Sequence, residues 1–255
     1  MSCGRTAVFV LREQATAVGE RLALGLPADL ISGWGKNDSH DSPRVILQKI
    51  FNSYDAWVLI MASGIAVRFV GNLLKDKHAD PAVVVMDEGC HHAVSLASGH
   101  EGGANRLAFA VSNLVNATPV VTTATESIKP LVLGIGCRKN TTCEQIESLV
   151  AKTLFDRNLN EIRCVATIDA KANEQGLLTF CQKHDLPMRV FSRLDVAARN
   201  WSTEPSAWVQ ENLGVDGVCE PCALMATARG RLIVPKTTLN GVAVAIVEDS
   251  ARLAQ

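Results

Sequence analysis

The chain has 255 residues, of which 47% are hydrophobic, 20% charged and 5% aromatic, and its formal net charge is −1. This apolar content can bury a sizeable core, which excludes a wholly disordered chain, and the length suits two domains of about 125 residues. The near-neutral charge and few aromatic residues argue against a nucleic-acid binder or a basic membrane-surface protein. A soluble enzyme or small-molecule binder is the expected class.

The start of the chain shows no pattern typical of an export signal. A short apolar stretch at 6–11 follows the first residues, with no extended apolar region and no cleavage site. The longest uncharged run, 107–125, is interrupted by Asn, Thr and Pro, and therefore predicts a helix end, a turn and a buried strand rather than a membrane span. We expect a cytoplasmic protein.

Eight cysteines are present. In a reducing compartment most of them are expected to be buried free thiols. Cys219 and Cys222 form a single CxxC, and Cys137 and Cys143 are the residues that could complete a four-ligand zinc site. Because only one CxxC exists, buried thiols at a loop–helix junction are favoured over a zinc or redox site.

In the first half of the chain, short β-branched runs alternate with helical patterns. Strands are predicted at residues 6–11, 29–32, 56–61, 82–86, 92–96 and 118–121. Helices are predicted at residues 13–26, 43–53, from 63 onward, and 102–115. This alternation is typical of a parallel sheet with helices on both faces.

The pattern restarts after a short linker at 127–130. Strands are predicted at residues 131–136, 163–168, 189–191, 232–234 and 242–247. Helices are predicted at residues 141–155, 174–184, 205–213 and 220–228. The last two strands should form an antiparallel pair around Asn240-Gly241.

These elements predict an α/β protein with two α/β domains, 1–128 and 129–255, each a mainly parallel sheet flanked by helices. The short linker should keep the domains close and make the cleft between them a natural ligand site.

Two clusters of unusual residues follow predicted strands, where doubly wound sheets bind ligands. Ser63, Gly64 and Arg68 belong to a helix start that favours anions, although a plain helix cap with a solvated Arg68 explains them equally well. The segment 98–105, SGHEGGAN, has three glycines, and its His100 can transfer protons or be a structural histidine. Neighbouring His91 and His92 would point to opposite faces of a strand, which makes them a poor ligand pair.

A third cluster, GIGCRK at 134–139, resembles a dinucleotide fingerprint but has Lys139 where the third glycine belongs. No acidic residue follows at the required distance either, which disfavours a nucleotide-dependent enzyme. Arg138 and Lys139 instead suit a ligand that bears carboxylates or phosphates, unless they are merely a solvated basic pair.

Several segments together are recognisable. They are LKDK at 74–77, DPAVVV at 80–85, SGHEGGAN at 98–105, TPVVTTAT at 118–125, GIGCRK at 134–139, ATIDAK at 166–171, EPCAL at 220–224 and VPK at 234–236. In this order, over nearly the whole chain, they resemble the cobalt-precorrin-5A hydrolase family, CbiG, of anaerobic cobalamin biosynthesis. The second half alone also resembles the small CobE-type proteins of the aerobic pathway.

Two departures from the family pattern stand out. Many members carry a middle region between the domains, whereas residues 127–130 join them here, which indicates a compact form lacking the middle region. Asn140 stands where the family often has Gly after the basic pair, and this exchange touches the predicted helix start and its ligand contacts.

The resemblance implies a hydrolase that opens the δ-lactone of a ring-contracted cobalt tetrapyrrole and releases acetaldehyde to give cobalt-precorrin-5B. Cobalt would arrive with this substrate, so no protein cofactor or metal site is expected. The expected partner is the cobalt-tetrapyrrole substrate, without nucleic acid or membrane, and a homodimer is left open. The alternative is a non-catalytic tetrapyrrole carrier or partner protein of the same pathway.

For this chemistry His100 is the expected general base, with Glu88 and Glu220 as alternatives. A polycarboxylate disc also needs scattered cationic, hydroxyl and amide donors, and four loops, 63–68, 98–105, 134–141 and 236–238, are expected to face one space. The predicted substrate-binding residues are Ser63, Gly64, Arg68, Lys75, Ser98, Gly99, Gly102, Gly103, Asn105, Thr122, Thr123, Gly134, Gly136, Arg138, Lys171, Lys236 and Thr237.

Overall fold

The computed structural model describes residues 4–34, 41–76, 78–201, 207–215 and 217–249. Parts of the predicted loop at 33–42 and of the predicted helix at 205–213, together with Lys77, lie outside these residues. The chain divides into two compact units, Met1–Thr123 (unit 1) and Ala124–Gln255 (unit 2). The predicted boundary between residues 128 and 129 and the predicted cleft between the domains stay predictions. None of the described helices combines the length and the apolar character needed to span a bilayer.

Unit 1 is built on a six-stranded sheet with the strand order β2-β1-β3-β4-β5-β6. Its strands are β1 (Thr6–Val10), β2 (Asp29–Ser32), β3 (Ala56–Ile60), β4 (Ala82–Met86), β5 (His92–Ala97) and β6 (Thr118–Val120). Its helices are α1 (Thr16–Gly25), α2 (Pro43–Ile50), α3 (Ser63–Val70) and α4 (Ala104–Val115). As predicted, Pro43 is the first residue of α2, although the side chain of Ser42 makes no capping hydrogen bond.

The direction of β5 decides where the loops of unit 1 lie. Strands β1, β2, β3 and β4 are parallel, whereas β5 is antiparallel to β4, and β6 is parallel to β5. Only residues 87–91 join β4 to β5, and a parallel connection needs a dozen residues or more. The chain therefore turns back directly, and the carboxyl ends of β5 and β6 lie at the opposite edge of the sheet from those of β1, β3 and β4.

Both faces of the central strands of unit 1 are covered. On β3, Val58 and Ile60 pack into one core cluster, while Trp57 and Leu59 pack into the other on the opposite face. This alternation follows the two-residue period of a strand, and it explains why the whole segment is apolar. The buried Trp57 indole N–H is satisfied by the carbonyl of Phe51 at 2.9 Å.

Unit 2 contains a five-stranded sheet with the order β10-β11-β7-β8-β9. The strands are β7 (Leu131–Cys137), β8 (Ile162–Ile168), β9 (Met188–Phe191), β10 (Arg231–Leu239) and β11 (Val242–Glu248). The helices are α5 (Ala124–Ser127), α6 (Cys143–Leu154), α7 (Gln175–Lys183), α8 (Arg193–Ala197), α9 (Ala207–Leu213) and α10 (Cys219–Met225). Strands β7, β8 and β9 are parallel, and β11 is antiparallel to both β7 and β10. The predicted α/β class with mainly parallel sheets is confirmed.

Three residues with left-handed backbone conformation shape the loops at the carboxyl end of β7. The predicted antiparallel pair β10–β11 turns at Asn240 and Gly241, whose φ angles are 49° and 82°, the conformation for which Asn-Gly is favoured. Asn140 has a φ of 63°. Asparagine is among the residues that tolerate this region, so Asn140 can adopt a backbone conformation that glycine would also accept.

Helix α10 packs directly on β7, and Gly134 makes this approach feasible. A Cβ atom added to Gly134 would overlap the carbonyl oxygen of Cys219, the first residue of α10. The side of the strand on which a side chain would stand is thus filled by the backbone of the helix.

We expect the Gly134→Ala variant to lose about 3 kcal/mol of unfolding free energy, because the added methyl group collides with backbone atoms that cannot move independently. Gly64→Ala is the matched control, since a Cβ there meets nothing within 4 Å and lies in α3. It should gain about 0.5–1 kcal/mol from helix propensity. Urea unfolding followed by circular dichroism measures both. Equal midpoints for the two variants would contradict the direct α10–β7 packing.

Candidate functional site

A cavity of about 500 Å³ opens in unit 2 at the carboxyl end of β7. Five elements contribute to it: the end of β7, the segment after β8, helix α9, the start of α10 and the β10–β11 hairpin. The lining residues are Gly136, Cys137, Arg138, Lys171, Val209, Leu213, Gly217, Val218, Cys219, Lys236, Thr238, Leu239, Asn240, Gly241, Val242 and Ala243. Four predicted binding residues, Gly136, Arg138, Lys171 and Lys236, are therefore brought together.

Three cationic side chains line this cavity, and they differ in their partners. Arg138 and Lys236 are exposed, and neither forms an ion pair with any residue in the described part of the chain. Lys171 is only 9% exposed, and its Nζ lies 3.1 Å from Oε1 of Glu174. Glu174 Oε2 also accepts the N–H of Asn140 at 3.3 Å. Arg138 and Lys236 are thus the cations available to an acidic ligand.

Apolar side chains supply the remaining wall of the cavity. Val209 and Leu213 come from α9, Val218 precedes α10, and Leu239 and Val242 flank the hairpin turn. An apolar wall with cations beside it suits a ligand that has a hydrophobic body and acidic substituents. The lining residues, all within the described ranges, include no histidine and no carboxylate.

Two thiols line the cavity, and both are expected to stay protonated at neutral pH. Burial raises the pKa of Cys137 to about 11 and that of Cys219 to about 12. The second CxxC thiol, Cys222, is fully buried, and burial also raises its pKa. A protonated, buried thiol is a poor nucleophile.

The cysteines form no metal centre in the described part of the chain. All seven described cysteines are free thiols, six of them buried, and Cys90 is the half-buried one. No group of three or more His, Cys, Asp or Glu residues among the described ranges is arranged to hold a metal ion. The favoured interpretation of Cys219 and Cys222 as buried free thiols agrees with this arrangement.

Three other predicted residues of unit 2 have structural partners. Glu220 is 8% exposed, and its Oε1 accepts the backbone N–H of Lys236 at 2.7 Å. The Thr237 hydroxyl donates to the Pro235 carbonyl at 3.1 Å. Gly134 lies inside the sheet beneath α10, with no space for a ligand on that side. Packing against α10 explains this glycine, and its predicted substrate contact stays a prediction.

In unit 1, the glycine-rich segment 98–105 packs against its own neighbours. A Cβ on Gly99 would lie 2.7 Å from Thr123 Oγ1 and 2.9 Å from Asn105 Oδ1, and a Cβ on Gly102 would overlap Ser98. Gly103 has a φ of 90° at the start of α4. These glycines are explained by local packing and backbone conformation, without a ligand.

Polar side chains of this segment bond chiefly to one another. Asn105 Nδ2 donates to Thr123 Oγ1 at 3.1 Å, and Ser95 Oγ donates to Asn105 Oδ1 at 2.8 Å. The buried hydroxyl of Ser98 has no hydrogen-bond partner among the described residues. Thr122 lies next to this network, just after β6. Asn105 and Thr123 were both predicted to bind substrate. In the structure their polar side-chain atoms hydrogen-bond to each other.

His100 and Lys75 lie at this same edge of unit 1. His100 is an exposed residue between Gly99 and Gly102. Lys75 is also exposed, and it lies in the loop between α3 and the start of β4. His78 Nδ1 lies 3.6 Å from Glu101 Oε2, and this contact connects the loop to the glycine-rich segment.

Ser63, Gly64, Arg68 and Glu88 lie at the opposite edge of unit 1, because they follow β3 and β4. Both carboxylate oxygens of Glu88 accept hydrogen bonds from Arg12, at 2.9 and 2.5 Å, and this bond raises the pKa of Arg12. The loops 63–68 and 98–105 are separated by the length of β4, roughly 15 Å. The expectation that these two loops face one space is wrong, and the antiparallel direction of β5 is the reason.

The turn between β4 and β5 is held by Asp87. Burial raises the pKa of Asp87, but backbone N–H bonds from His91 and His92 outweigh this effect and lower it to about 2. His91 Nδ1 lies 2.9 Å from Asp87 Oδ2. These contacts fix the short reversal that makes β5 antiparallel.

Sequence reasoning missed the part of the cavity formed by α9 and the hairpin residues 239–243. Asn240-Gly241 was a readable signal, since it places the hairpin turn at the end of β10 beside the carboxyl end of β7. No signal in the sequence indicated that Val209 and Leu213 face the same space.

Comparisons with known proteins cover both units. Residues 131–247 match the family model described as cobalamin synthesis G C-terminus, and residues 45–126 match cobalamin synthesis G N-terminal. The cobalt-precorrin-5A hydrolase of Priestia megaterium is 23% identical over an alignment 305 positions long, which covers 80% of this chain and 81% of that protein.

Two further relatives match about half of the chain. The cobalt-precorrin-5A hydrolase of Salmonella typhimurium strain LT2 is 39% identical over 125 residues, 47% of this chain and 36% of that protein. Protein CobE of a Sinorhizobium species is 29% identical over 126 residues, 48% of this chain and 82% of that protein.

At pH 8 we expect iodoacetamide to modify Cys90 well before Cys137 and Cys219 in the folded protein. The last two are buried and have pKa values of about 11 and 12, so only a small thiolate fraction exists until the pH approaches those values. Mass spectrometry of labelled peptides measures the rates, and unfolded protein is the control in which all three should react alike. Modification of Cys137 as rapid as that of Cys90 would contradict the burial of this thiol.

Proposed function

Because the chain belongs to the cobalamin synthesis G family, we propose that it is a hydrolase of cobalamin biosynthesis that acts on cobalt-precorrin-5A, as its curated relatives are named. In the proposed reaction, water opens the δ-lactone of the ring-contracted cobalt tetrapyrrole. A two-carbon fragment then leaves as acetaldehyde, which gives cobalt-precorrin-5B. Cobalt belongs to the substrate in this proposal, and the protein contributes no cofactor.

The cavity of unit 2 is the observation that supports this proposal. Arg138 and Lys236 offer two exposed cations to ring carboxylates, while Val209 and Leu213 offer an apolar wall to the macrocycle. A cavity of about 500 Å³ has the size that holds a drug-sized molecule, so it would take one edge of the larger macrocycle. Such scattered cations also agree with a net charge of only −1.

The chemistry requires a base for the attacking water and donors for the oxyanion. Opening the lactone yields a carboxylate and a hydroxyl group. Removal of the hydroxyl proton then breaks the carbon–carbon bond, the carbonyl of acetaldehyde forms, and the conjugated macrocycle accepts the electron pair and a proton. A single group that alternates between base and acid can serve both steps.

His100 remains our candidate for this base. His100 is exposed, and a histidine side chain can both accept and donate a proton. The two alternatives have other tasks, because Glu88 is bound through both oxygens to Arg12, and Glu220 accepts the Lys236 N–H. Since Asn105 and Thr123 bond to each other, Thr122 is the hydroxyl group that we propose as a donor to the oxyanion.

One observation favours the second candidate function, a tetrapyrrole carrier without catalysis. The described residues that line the cavity of unit 2 include cations and apolar groups but no histidine or carboxylate that could act as a base. Such a wall binds a polycarboxylate without transforming it. Release of acetaldehyde distinguishes the carrier from the enzyme, because a carrier changes only the absorbance of the bound corrinoid.

We expect the purified protein to release acetaldehyde from the lactone substrate, measured by coupled NADH oxidation with alcohol dehydrogenase. His100→Ala should lower this rate by about 10²–10⁴-fold, since that is the usual contribution of a general base. His92→Ala is the matched control, because this exposed histidine lies at the opposite edge of the unit 1 sheet. A loss within threefold for His100→Ala would exclude His100 as the base, and no acetaldehyde from the wild type would favour the carrier.

Arg138→Ala should weaken binding of a polycarboxylate tetrapyrrole such as uroporphyrin about two- to fivefold at low salt, as expected for an exposed ion pair. The difference should shrink as salt is added, because screening weakens exposed charge pairs. Fluorescence titration measures the dissociation constant. Lys152→Ala removes the same charge from an exposed residue of α6 outside the cavity and should leave binding unchanged. Equal affinities for both variants would remove Arg138 from the site.

A further inference from the structure

Two motifs, EPCAL at 220–224 and VPK at 234–236, meet through a hydrogen bond between residues that are 16 positions apart. Glu220 Oε1 accepts the backbone N–H of Lys236 at 2.7 Å. Glu220 lies in the first turn of α10, where the helix dipole favours a carboxylate, and Lys236 lies in β10. Neither sequence motif by itself indicates this contact.

The bond lies at an irregularity of β10. The paired residues step from Val234↔Ile246 to Thr237↔Val244, so three steps along β10 face two along β11. The extra length is a β-bulge at Pro235 and Lys236. Pro235 has no N–H to donate, and the Lys236 N–H turns to Glu220 instead of pairing with β11. The bulge is therefore closed by a side chain from another element.

The acceptor is held in place by the packing of α10. Cys219 lies against β7 at Gly134, and Glu220 next to it is only 8% exposed. A buried carboxylate needs hydrogen-bond partners, because leaving it unpaired is costly. The same turn of α10 also lines the cavity through Cys219. The first turn of α10 thus forms part of the cavity wall, and it also fixes the backbone of Lys236, whose side chain is one of the cations of the cavity.

We propose that Glu220 is a positioning residue, which acts through Lys236 and sets where the Lys236 ammonium group meets a carboxylate at the edge of the ligand. This inference rests on the proposed function, since it takes the cavity to be the binding site for a polycarboxylate tetrapyrrole. It also assigns Glu220 a task that needs an acceptor oxygen and no proton transfer. The inference therefore differs from the role of Glu220 as an alternative general base.

Amide hydrogen exchange tests the positioning step without reference to any activity. The Lys236 amide should exchange slowly in the wild type and at least about tenfold faster in Glu220→Ala, since a hydrogen bond to a charged acceptor is lost. Glu220→Gln keeps an acceptor oxygen and should restore most of the protection. Thermal unfolding of each variant shows that it is folded. Equal exchange rates in the wild type and Glu220→Ala would overturn the proposal.

Binding of uroporphyrin tests whether Glu220 acts through Lys236. Lys236→Ala removes the side chain but keeps the backbone N–H, and it should weaken binding about two- to fivefold. Glu220→Ala should show a loss of similar size, and the double variant should lose no more than Lys236→Ala alone. Glu220→Gln should recover most of the affinity. Glu144→Ala is the matched control, because Glu144 is an exposed first-turn carboxylate of α6 outside the cavity.

Two further results, from binding and activity, would also overturn the proposal. Losses that multiply in the double variant would show that Glu220 and Lys236 act independently. A Glu220→Gln variant that binds normally but loses acetaldehyde release would make Glu220 a proton-transfer group. Failure of the proposed function is a separate outcome, because wild-type protein that binds no tetrapyrrole would refute the function while the exchange data still report on the contact.

Discussion

The packing of α10 directly on β7 is the contact on which the candidate site of unit 2 depends. It exists because Gly134 has no side chain, so that the backbone of Cys219 can occupy the space above the strand. That contact fixes the first turn of α10, which contributes Cys219 to the cavity wall and Glu220 to the Lys236 N–H. A glycine inside a strand, whose effect on strand stability is unfavourable by itself, is here compensated by the arrangement that it permits.

Strand direction explains why the predicted residues of unit 1 divide between two opposite edges of its sheet. The parallel strands β1, β3 and β4 bring 63–68 and Glu88 to one edge, whereas the antiparallel β5 delivers 98–105 to the other. In unit 2 the end of β10, the start of β11 and the ends of β7 and β8 share one edge. Arg138, Lys171 and Lys236 therefore meet, although they are far apart in sequence.

The sequence predicted individual strands and turns better than it predicted strand directions and contacts between distant elements. Apolar runs such as 56–60 and 82–86 identify buried strands, and Asn240-Gly241 identifies a hairpin, because both depend on nearby residues. The reversal after β4 follows from a connection of five residues, 87–91, which was visible in the sequence. The bond from Glu220 to Lys236 was not visible, because a long-range contact depends on how two elements pack. The glycine-rich composition of 98–105 was ambiguous. A glycine is needed wherever another group comes close to the backbone, whether that group is a side chain such as Asn105 or a bound ligand.

The bulged strand β10 has a second consequence, because it forms an outer edge of the unit 2 sheet. A straight outer strand exposes a row of unpaired N–H and C=O groups on which strands of other molecules can assemble into aggregates. Pro235 interrupts that row, the bulge twists it, and Lys236 adds positive charge along it. The irregularity that serves the cavity therefore also discourages self-association of the chain through this edge.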